Sequence, residues 1–131
     1  MTDSGNAGLI EIASGESFDA TLDRLVEAIA RSGMTLFARI DHAAGALAVG
    51  MPMPPTTVLI YGSPAGGTPL MLAAPLAALE LPLRVLLREN EQGQVSMLFH
   101  PMAPVLRQTG VPEAMANRLD RAQLMLVEAL S

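Results

Sequence analysis

The chain has 131 residues, a length typical of one domain, and its 50% hydrophobic content is enough for a core without disulfides or metals. Its net charge is −5, and its eight basic residues, all arginine, form no cluster of the kind that a nucleic-acid partner requires. The absence of cysteine and lysine excludes thiol nucleophiles, thiolate metal sites and Schiff-base chemistry.

The first elements in the chain are a short strand and an amphipathic helix. Residues 1–7 have the composition of a loose terminus, and residues 8–13 form a candidate strand. Ser17 is suited to cap a helix, apolar residues recur at helical spacing through 18–29, and Gly33 supplies the stop. We therefore expect a helix that buries one face.

Two further strands follow, separated by a short helix. Residues 34–41 alternate in polarity, which predicts a half-buried strand whose even-numbered side chains share the apolar face. Residues 42–50 are small and alanine-rich and suit a short helix, which a proline-rich segment ends. Residues 57–61 are apolar on both faces, so we expect a central strand that is covered on both sides.

The next segment predicts a loop, a short helix and a hairpin. Residues 62–67 are read as a loop, and Thr68 followed by Pro69 is a favourable helix start. Residues 83–88 and 94–99 alternate around a glycine-containing turn, which predicts a β-hairpin.

The last predicted element is a helix over residues 112–130. Its apolar stripe is widened by Leu124, Met125 and Val127 well beyond one face. Because a small domain has little room to surround such a helix, this pattern favours a homodimer contact. Deep burial within one copy is the alternative.

Together these elements predict an α+β fold. We expect a single two-layer domain over residues 1–131, with a mainly antiparallel sheet of about five strands and helices packed against it. The chain start lacks a basic region followed by an apolar run, so no signal peptide is expected. Residues 70–87 are interrupted by prolines and charges, so no membrane span is expected, and the predicted location is cytoplasmic.

Four short motifs carry a resemblance to a known family. They are Ile40-Asp41-His42-Ala43, Tyr61-Gly62-Ser63-Pro64, Gly67-Thr68-Pro69-Leu70-Met71 and Leu81-Pro82-Leu83-Arg84. In this order the chain resembles the family catalogued as domain of unknown function 302, over about residues 18–104. The resemblance implies a compact α+β domain with a mainly antiparallel sheet, and homodimers. It implies no known reaction.

The chain also departs from the family pattern at polar positions. The resemblance implies asparagine where this chain has Ser63, and lysine where it has Arg84. A tyrosine–asparagine pair near the end of the last strand stands here as Phe99 and His100. Any polar site that the family shares has therefore changed its chemistry in this chain.

A small anionic ligand is the site hypothesis that the sequence favours. Ser63, Gly67 and Thr68 lie where a strand leads into a helix, and N–H groups at a helix start favour anions. Arg84 offers a bidentate contact to a carboxylate or phosphate, and His100 is added as a further polar group. A tight turn with a capped helix is the alternative. No metal and no cofactor are expected.

Asp41 and His42 are the candidates for catalysis. An adjacent carboxylate can position a histidine for proton transfer, although neighbours in a strand point to opposite faces. The alternative is that Asp41 caps the following helix. His42 with His100 and a carboxylate is a weaker metal hypothesis, because the sequence offers no local ligand spacing. The nine methionines suit an adaptable apolar pocket or plain core filling.

Three functions remain open from the sequence. The preferred one is a small cytosolic homodimer that binds a small molecule near Ser63, Thr68 and Arg84 without chemistry of its own. The second is an acid/base enzyme that uses Asp41 and His42. The third is an interaction module that docks a partner through its last helix.

Overall fold

The computed structural model describes residues 8–131, and the predicted loose terminus at 1–7 lies outside the described residues. Within that range the strands are β1 (Ile10–Ser14), β2 (Thr35–Asp41), β3 (Thr56–Gly62), β4 (Leu83–Glu89) and β5 (Val95–Phe99). The helices are α1 (Phe18–Arg31), α2 (His42–Ala48), α3 (Pro64–Ala73), α4 (Ala103–Gln108) and α5 (Glu113–Ala129), with a 3₁₀ helix at Pro75–Leu79.

The described strands form one antiparallel sheet in the order β1-β5-β4-β3-β2. Helices α1 and α5 pack on one of its faces, and the buried side chains of β3, β4 and β5 meet them there. A second apolar cluster joins α3, the 3₁₀ helix, α4 and α5. The predicted α+β fold with helices packed against an antiparallel sheet of five strands is confirmed.

Helix α1 forms as its sequence pattern predicts. The Ser17 hydroxyl accepts a hydrogen bond from the N–H of Ala20 at 3.1 Å, which satisfies one of the unpaired donors of the first turn. Gly33 adopts φ 76° directly after the C-cap residue, a conformation that side chains disfavour. Most of the apolar stripe, including Leu25 and Ile29, is buried against the sheet, and Val26 is half-buried.

Strand β2 is more exposed than its alternating sequence predicts. It lies at the sheet edge, and a register shift between Leu36 and Ala38 marks a bulge. Leu36 pairs with the core residue Tyr61, whereas Ala38 and Ile40 lie on the opposite face. The prediction that Leu36, Ala38 and Ile40 share one face was therefore wrong, since a bulge inserts a residue and reverses the alternation.

Strand β3 is covered on one face only, whereas the sequence predicts cover on both. Leu59 and Tyr61 are buried under the helices, and Val58 and Ile60 point to the other side of the sheet and are half-buried. The apolar residues of that side belong to neither core cluster of the described chain. We call this second side of the sheet, which carries Ile40, Val58, Ile60, Leu86 and Leu98, the open face.

Helix α3 begins five residues before the predicted start. Ser63, not Thr68, is its N-cap, and Pro64 takes the first helical position. Residues 62–67 are consequently not a loop. Both pairs are a hydroxyl residue followed by proline, and the one directly after β3 begins the helix, which leaves Thr68 and Pro69 in its interior.

Helix α5 is buried along one side. Ala116, Gln123 and Leu126 are fully buried, and the helix packs on α1 and α4. Leu124 is the large apolar side chain of this helix that is exposed. In the described part of the chain, no helix is long and apolar enough to cross a membrane.

Candidate functional site

A mostly apolar cavity of about 220 Å³ lies where β3 leads into α3. We call it the junction cavity. Its walls come from the start of β2, the β3–α3 junction, the segment before β4, and α5. The lining residues are Met34, Phe37, Gly62, Ser63, Pro64, Gly66, Gly67, Met71, Leu81, Pro82, Leu83, Arg118, Leu119 and Ala122. The volume far exceeds the roughly 10–15 Å³ that a single water requires.

Gly62 is one of the residues that line this cavity. A Cβ at Gly62 would lie 3.5 Å from the Phe37 ring and 3.6 Å from the Pro82 ring, an ordinary contact distance. An alanine would therefore fit at this position, and Gly62 contributes its backbone to the cavity wall.

Ser63 closes the start of α3 rather than presenting it to a ligand. Its hydroxyl accepts a hydrogen bond from the N–H of Gly66 at 3.0 Å. Its carbonyl accepts from the N–H groups of Gly66 at 3.0 Å and Gly67 at 2.7 Å. Because these first-turn donors are already engaged, the helix start is poorly suited to hold an anion by itself.

Arg118 is the positively charged residue among those that line the cavity. Its neighbours on the wall, Leu119 and Ala122, are apolar. The ion pairs found within residues 8–131 join Arg24, Arg31 and Arg107 to glutamates, and none of them includes Arg118. The guanidinium is therefore available to a carboxylate or phosphate group that enters from solvent.

The structure divides the predicted ligand site into two places. Ser63 and Gly67 line the junction cavity, but Thr68 is an exposed residue within α3. Arg84 and His100 line a different hollow of about 410 Å³ on the open face. Strand alternation is the reason: Leu83 faces the core and the junction cavity, so the next residue faces the opposite side of the sheet.

Asp41 and His42 are arranged as a helix start. The Asp41 carboxylate accepts a hydrogen bond from the N–H of Ala44 at 2.9 Å and caps α2, and His42 is the exposed first residue of that helix. His100 follows β5, which is separated from β2 by β3 and β4, about 14 Å at the usual strand spacing. No group of three or more potential metal-binding side chains was found in the described chain.

Tyr61 directly precedes Gly62, a lining residue of the junction cavity, and is itself buried in the core. Burial raises the pKa of its phenol well above the ordinary value of 10.0, and no hydrogen bond to the phenol is found within residues 8–131. Tyr61 is therefore a neutral core residue near neutral pH and is not positioned for proton transfer.

Sequence reasoning missed Arg118 and Phe37 as cavity residues. Arg118 stands one turn before Ala122 and next to Leu119, so it interrupts the broad apolar girdle of α5. That interruption was a usable signal. Phe37 reaches the cavity from the bulged strand β2, and the sequence contains no comparable signal for a bulge.

Comparison with known proteins identifies this architecture. A model of the family described as domain of unknown function DUF302 matches residues 10–131. The crystal structure of an uncharacterized conserved DUF302 protein from Bacillus stearothermophilus is similar with a TM-score of 0.79. The two sequences are 13% identical, and the match covers 94% of this chain and 95% of the other.

Two curated relatives have a name that refers to a function. They are Fluoride-specific ion channel FluC 1 of Brucella suis biovar 1 (strain 1330) and Fluoride-specific ion channel FluC 1 of Brucella abortus biovar 1 (strain 9-941). Each is 38% identical over 90 residues, 69% of this chain. The match covers 35% and 33% of the two relatives, so this chain spans about a third of their length.

Proposed function

We propose that this chain, which belongs to the DUF302 family, binds a small molecule with an apolar body and one anionic end in the junction cavity. The proposal places this binding in the cytoplasm, the location that the sequence predicts. The observation that carries it is the pairing of a largely apolar cavity with one lining arginine. An apolar ligand body gains from leaving water, and its charged end remains at the mouth beside Arg118.

The lining residues favour an adaptable fit over a narrow one. Met34 and Met71 contribute flexible thioether side chains to the wall. Phe37 is 47% exposed although it lies against the cavity, so a ligand that enters would cover an apolar ring now in water. Medium-chain and aryl carboxylates match this combination of properties.

Thermal shift and NMR titration with octanoate and phenylacetate test the proposal, with the matching neutral amides as comparison. We expect the carboxylates to bind and Arg118→Ala to weaken them roughly three- to tenfold, because the exposed guanidinium is partly screened by water. Arg121→Ala is the matched control, since Arg121 is an exposed arginine of the same helix that lines none of the described cavities. Equal effects of the two substitutions would contradict the proposal.

A cavity-filling variant tests the location independently of charge. Ala122→Phe should abolish binding because the added ring occupies the free volume of the junction cavity. Ala114→Phe places the same ring on an exposed part of α5 and should leave binding unchanged. If a folded Ala122→Phe variant still binds the ligand, the binding site lies outside the junction cavity.

A second candidate function follows from the curated relatives. Their name assigns them to fluoride-specific channels, and a region similar to this chain makes up about a third of each. An accessory domain that acts with such a channel is consistent with that arrangement. Fluoride efflux by the Brucella suis relative should then change when its matching 90-residue region is deleted. Unaltered efflux would argue against this candidate.

A further inference from the structure

A second hollow, of about 370 Å³, lies where β2 ends and β3 begins. We call it the aspartate hollow. Its walls come from the first turn of α1, the end of β2 with helix α2, and the proline-rich segment that leads into β3. Two aspartates and two threonines line it together with apolar side chains. Thr57 in this lining and Gly62 in the junction cavity lie about 17 Å apart along β3 at the usual rise of a strand, so the two sites are separate.

Thr57 brings a buried hydroxyl without a partner to this hollow. The residue is 3% exposed, and no hydrogen bond to its side chain is found within residues 8–131. The neighbouring Thr56, in contrast, donates its hydroxyl to the carbonyl of Pro54 at 2.9 Å. Buried hydroxyl groups are nearly always hydrogen-bonded, because an unpaired one costs free energy. Since Thr57 lines the hollow, a polar group of a ligand there can bond to it.

Asp41 lies directly beside Thr57 in the sheet. The two residues are cross-strand partners of β2 and β3, so their Cβ atoms are about 5 Å apart on one face. The Oδ1 atom of Asp41 accepts the capping bond from the N–H of Ala44. The Oδ2 atom has no hydrogen bond or ion pair within the described residues. A free carboxylate oxygen therefore stands next to the unpaired hydroxyl.

Asp19 adds a second negative charge from the first turn of α1. The ion pairs found in residues 8–131 use glutamates and neither of these two aspartates. Arg39 and His42 are the basic residues closest to Asp41 in sequence, and neither is among the described residues that line the hollow. The charge of the lining therefore favours a cation.

The rest of the lining decides which kind of cation fits. A Ca²⁺ ion takes roughly six to eight oxygen ligands, and no group of three or more potential metal-binding side chains was found in the described chain. A primary ammonium group has only three donors to satisfy. Phe18, Leu47 and Met53 supply apolar surface, and Leu47 is 67% exposed, so it gains from being covered. The hollow thus suits an organic cation better than a metal ion.

We propose that the aspartate hollow binds a small primary amine with an apolar body. The ammonium group lies among the oxygens of Asp19, Asp41 and Thr57, and the body lies along Phe18 and the other apolar side chains of the lining. The volume of the hollow is within the range of about 300–1,000 Å³ that is usual for small-molecule sites. This site prefers the charge opposite to that favoured by the junction cavity, and it does not depend on binding there.

Calorimetric and NMR titration with hexylamine and 2-phenylethylamine tests the charge preference, with hexanol and 2-phenylethanol as the neutral comparison. The amines should bind more tightly than the alcohols. Asp19→Asn and Asp41→Asn should each weaken the amines about two- to fivefold, since both carboxylates are exposed. Asparagine at 41 can still cap α2, so the fold is kept. Asp23→Asn is the matched control, because Asp23 is an exposed aspartate of α1 that lines neither site.

Three results of this titration would overturn the proposal. The first is equal affinity for amines and alcohols. The second is an effect of Asp23→Asn as large as that of Asp41→Asn. The third is binding of Ca²⁺, added alone as the chloride, that Asp41→Asn abolishes while the amines do not bind.

Thr57→Val tests the buried hydroxyl, because valine keeps the shape of the side chain. Amine affinity should fall roughly two- to tenfold, whereas the urea midpoint should not fall, since the hydroxyl has no partner in residues 8–131. Octanoate affinity should not change, which separates this site from the junction cavity. Thr35→Val is the control, as Thr35 is exposed at the start of β2 and lines neither site. Unchanged amine affinity in a folded Thr57→Val variant, or a lowered urea midpoint, would contradict the proposed role of Thr57.

Discussion

Gln123 is a buried amide that holds the segment between β5 and α4 in place. Its Oε1 accepts a hydrogen bond from the N–H of Met102 at 3.0 Å, and its Nε2 donates to the carbonyl of His100 at 2.9 Å. The side chain is 1% exposed, so both polar ends depend on these partners. One glutamine thereby ties the end of the sheet to the last helix.

Replacing Gln123 with leucine should lower the free energy of unfolding by about 1–3 kcal/mol, since two backbone groups lose their partners while the volume is kept. Urea denaturation followed by circular dichroism measures the change. Gln108→Leu is the control, because Gln108 is exposed at the end of α4. Equal stability of the two variants would show that water satisfies the two backbone groups.

Tyr61 makes stability fall at alkaline pH. Its folded-state pKa is raised by burial above the unfolded value of about 10, so the contribution is fully present below pH 10 and is lost as the pH rises above it. As the chain has one tyrosine, tyrosinate absorbance should appear together with unfolding, not before it. Tyr61→Phe should remove this pH dependence and cost little stability, because the hydroxyl has no partner in residues 8–131. Tyrosinate formation in the folded protein would contradict this.

At the scale of elements, the position at which α3 begins decides whether the hydroxyl of Ser63 or that of Thr68 stabilises the helix. Ser63→Ala should lower the free energy of unfolding by about 1 kcal/mol because it removes the N-cap bond to Gly66. Thr68→Ala should be near neutral, since Thr68 is exposed in the helix interior. Urea denaturation of both variants compares the two helix starts directly. A larger loss of stability in Thr68→Ala would indicate that the helix begins at Thr68, as the sequence predicts.

The edge strand β2 shows why periodicity alone did not place every side chain. Its alternation predicts one apolar face, but the bulge between Leu36 and Ala38 divides that face between the two sides of the sheet. A bulge depends on how a strand pairs with its neighbour, so it cannot be predicted from the local preferences of the residues in the strand. The same bulge brings Phe37 to the junction cavity. It therefore explains both the wrong prediction of the apolar face of β2 and the failure to predict Phe37 as a cavity residue.

At the scale of the whole molecule, the two apolar clusters are joined. Leu119 and Met102 pack against both, and α5 supplies Leu126 to one and Ala116 to the other. We therefore expect one cooperative unfolding transition, with Tyr61 fluorescence and far-ultraviolet circular dichroism coincident. Such a transition fits the single domain that the sequence predicts.

Leu119→Ala should lower the free energy of unfolding by roughly 2 kcal/mol, as for a half-buried leucine, and the single transition should be kept. Leu124→Ala is the control, because its side chain is 49% exposed and should cost far less. Both readouts should shift together in Leu119→Ala. Separation of the two transitions would mean that the clusters unfold independently.

The sequence by itself determined the order and type of most elements, the fold class and the family. Helix α1, the β4–β5 hairpin and the terminal helix follow from local patterns of capping, turns and periodicity, which act over a few residues. Only the tertiary structure decided which faces are covered and which polar groups meet. Arg84 lies outside the junction cavity, although the sequence predicted it in the ligand site, and Arg118 lines that cavity. Both positions depend on strand alternation and helix packing, which bring together residues that lie far apart in the chain. The open face remained hidden for the same reason: an apolar strand looks alike whether its second face meets a helix or another molecule.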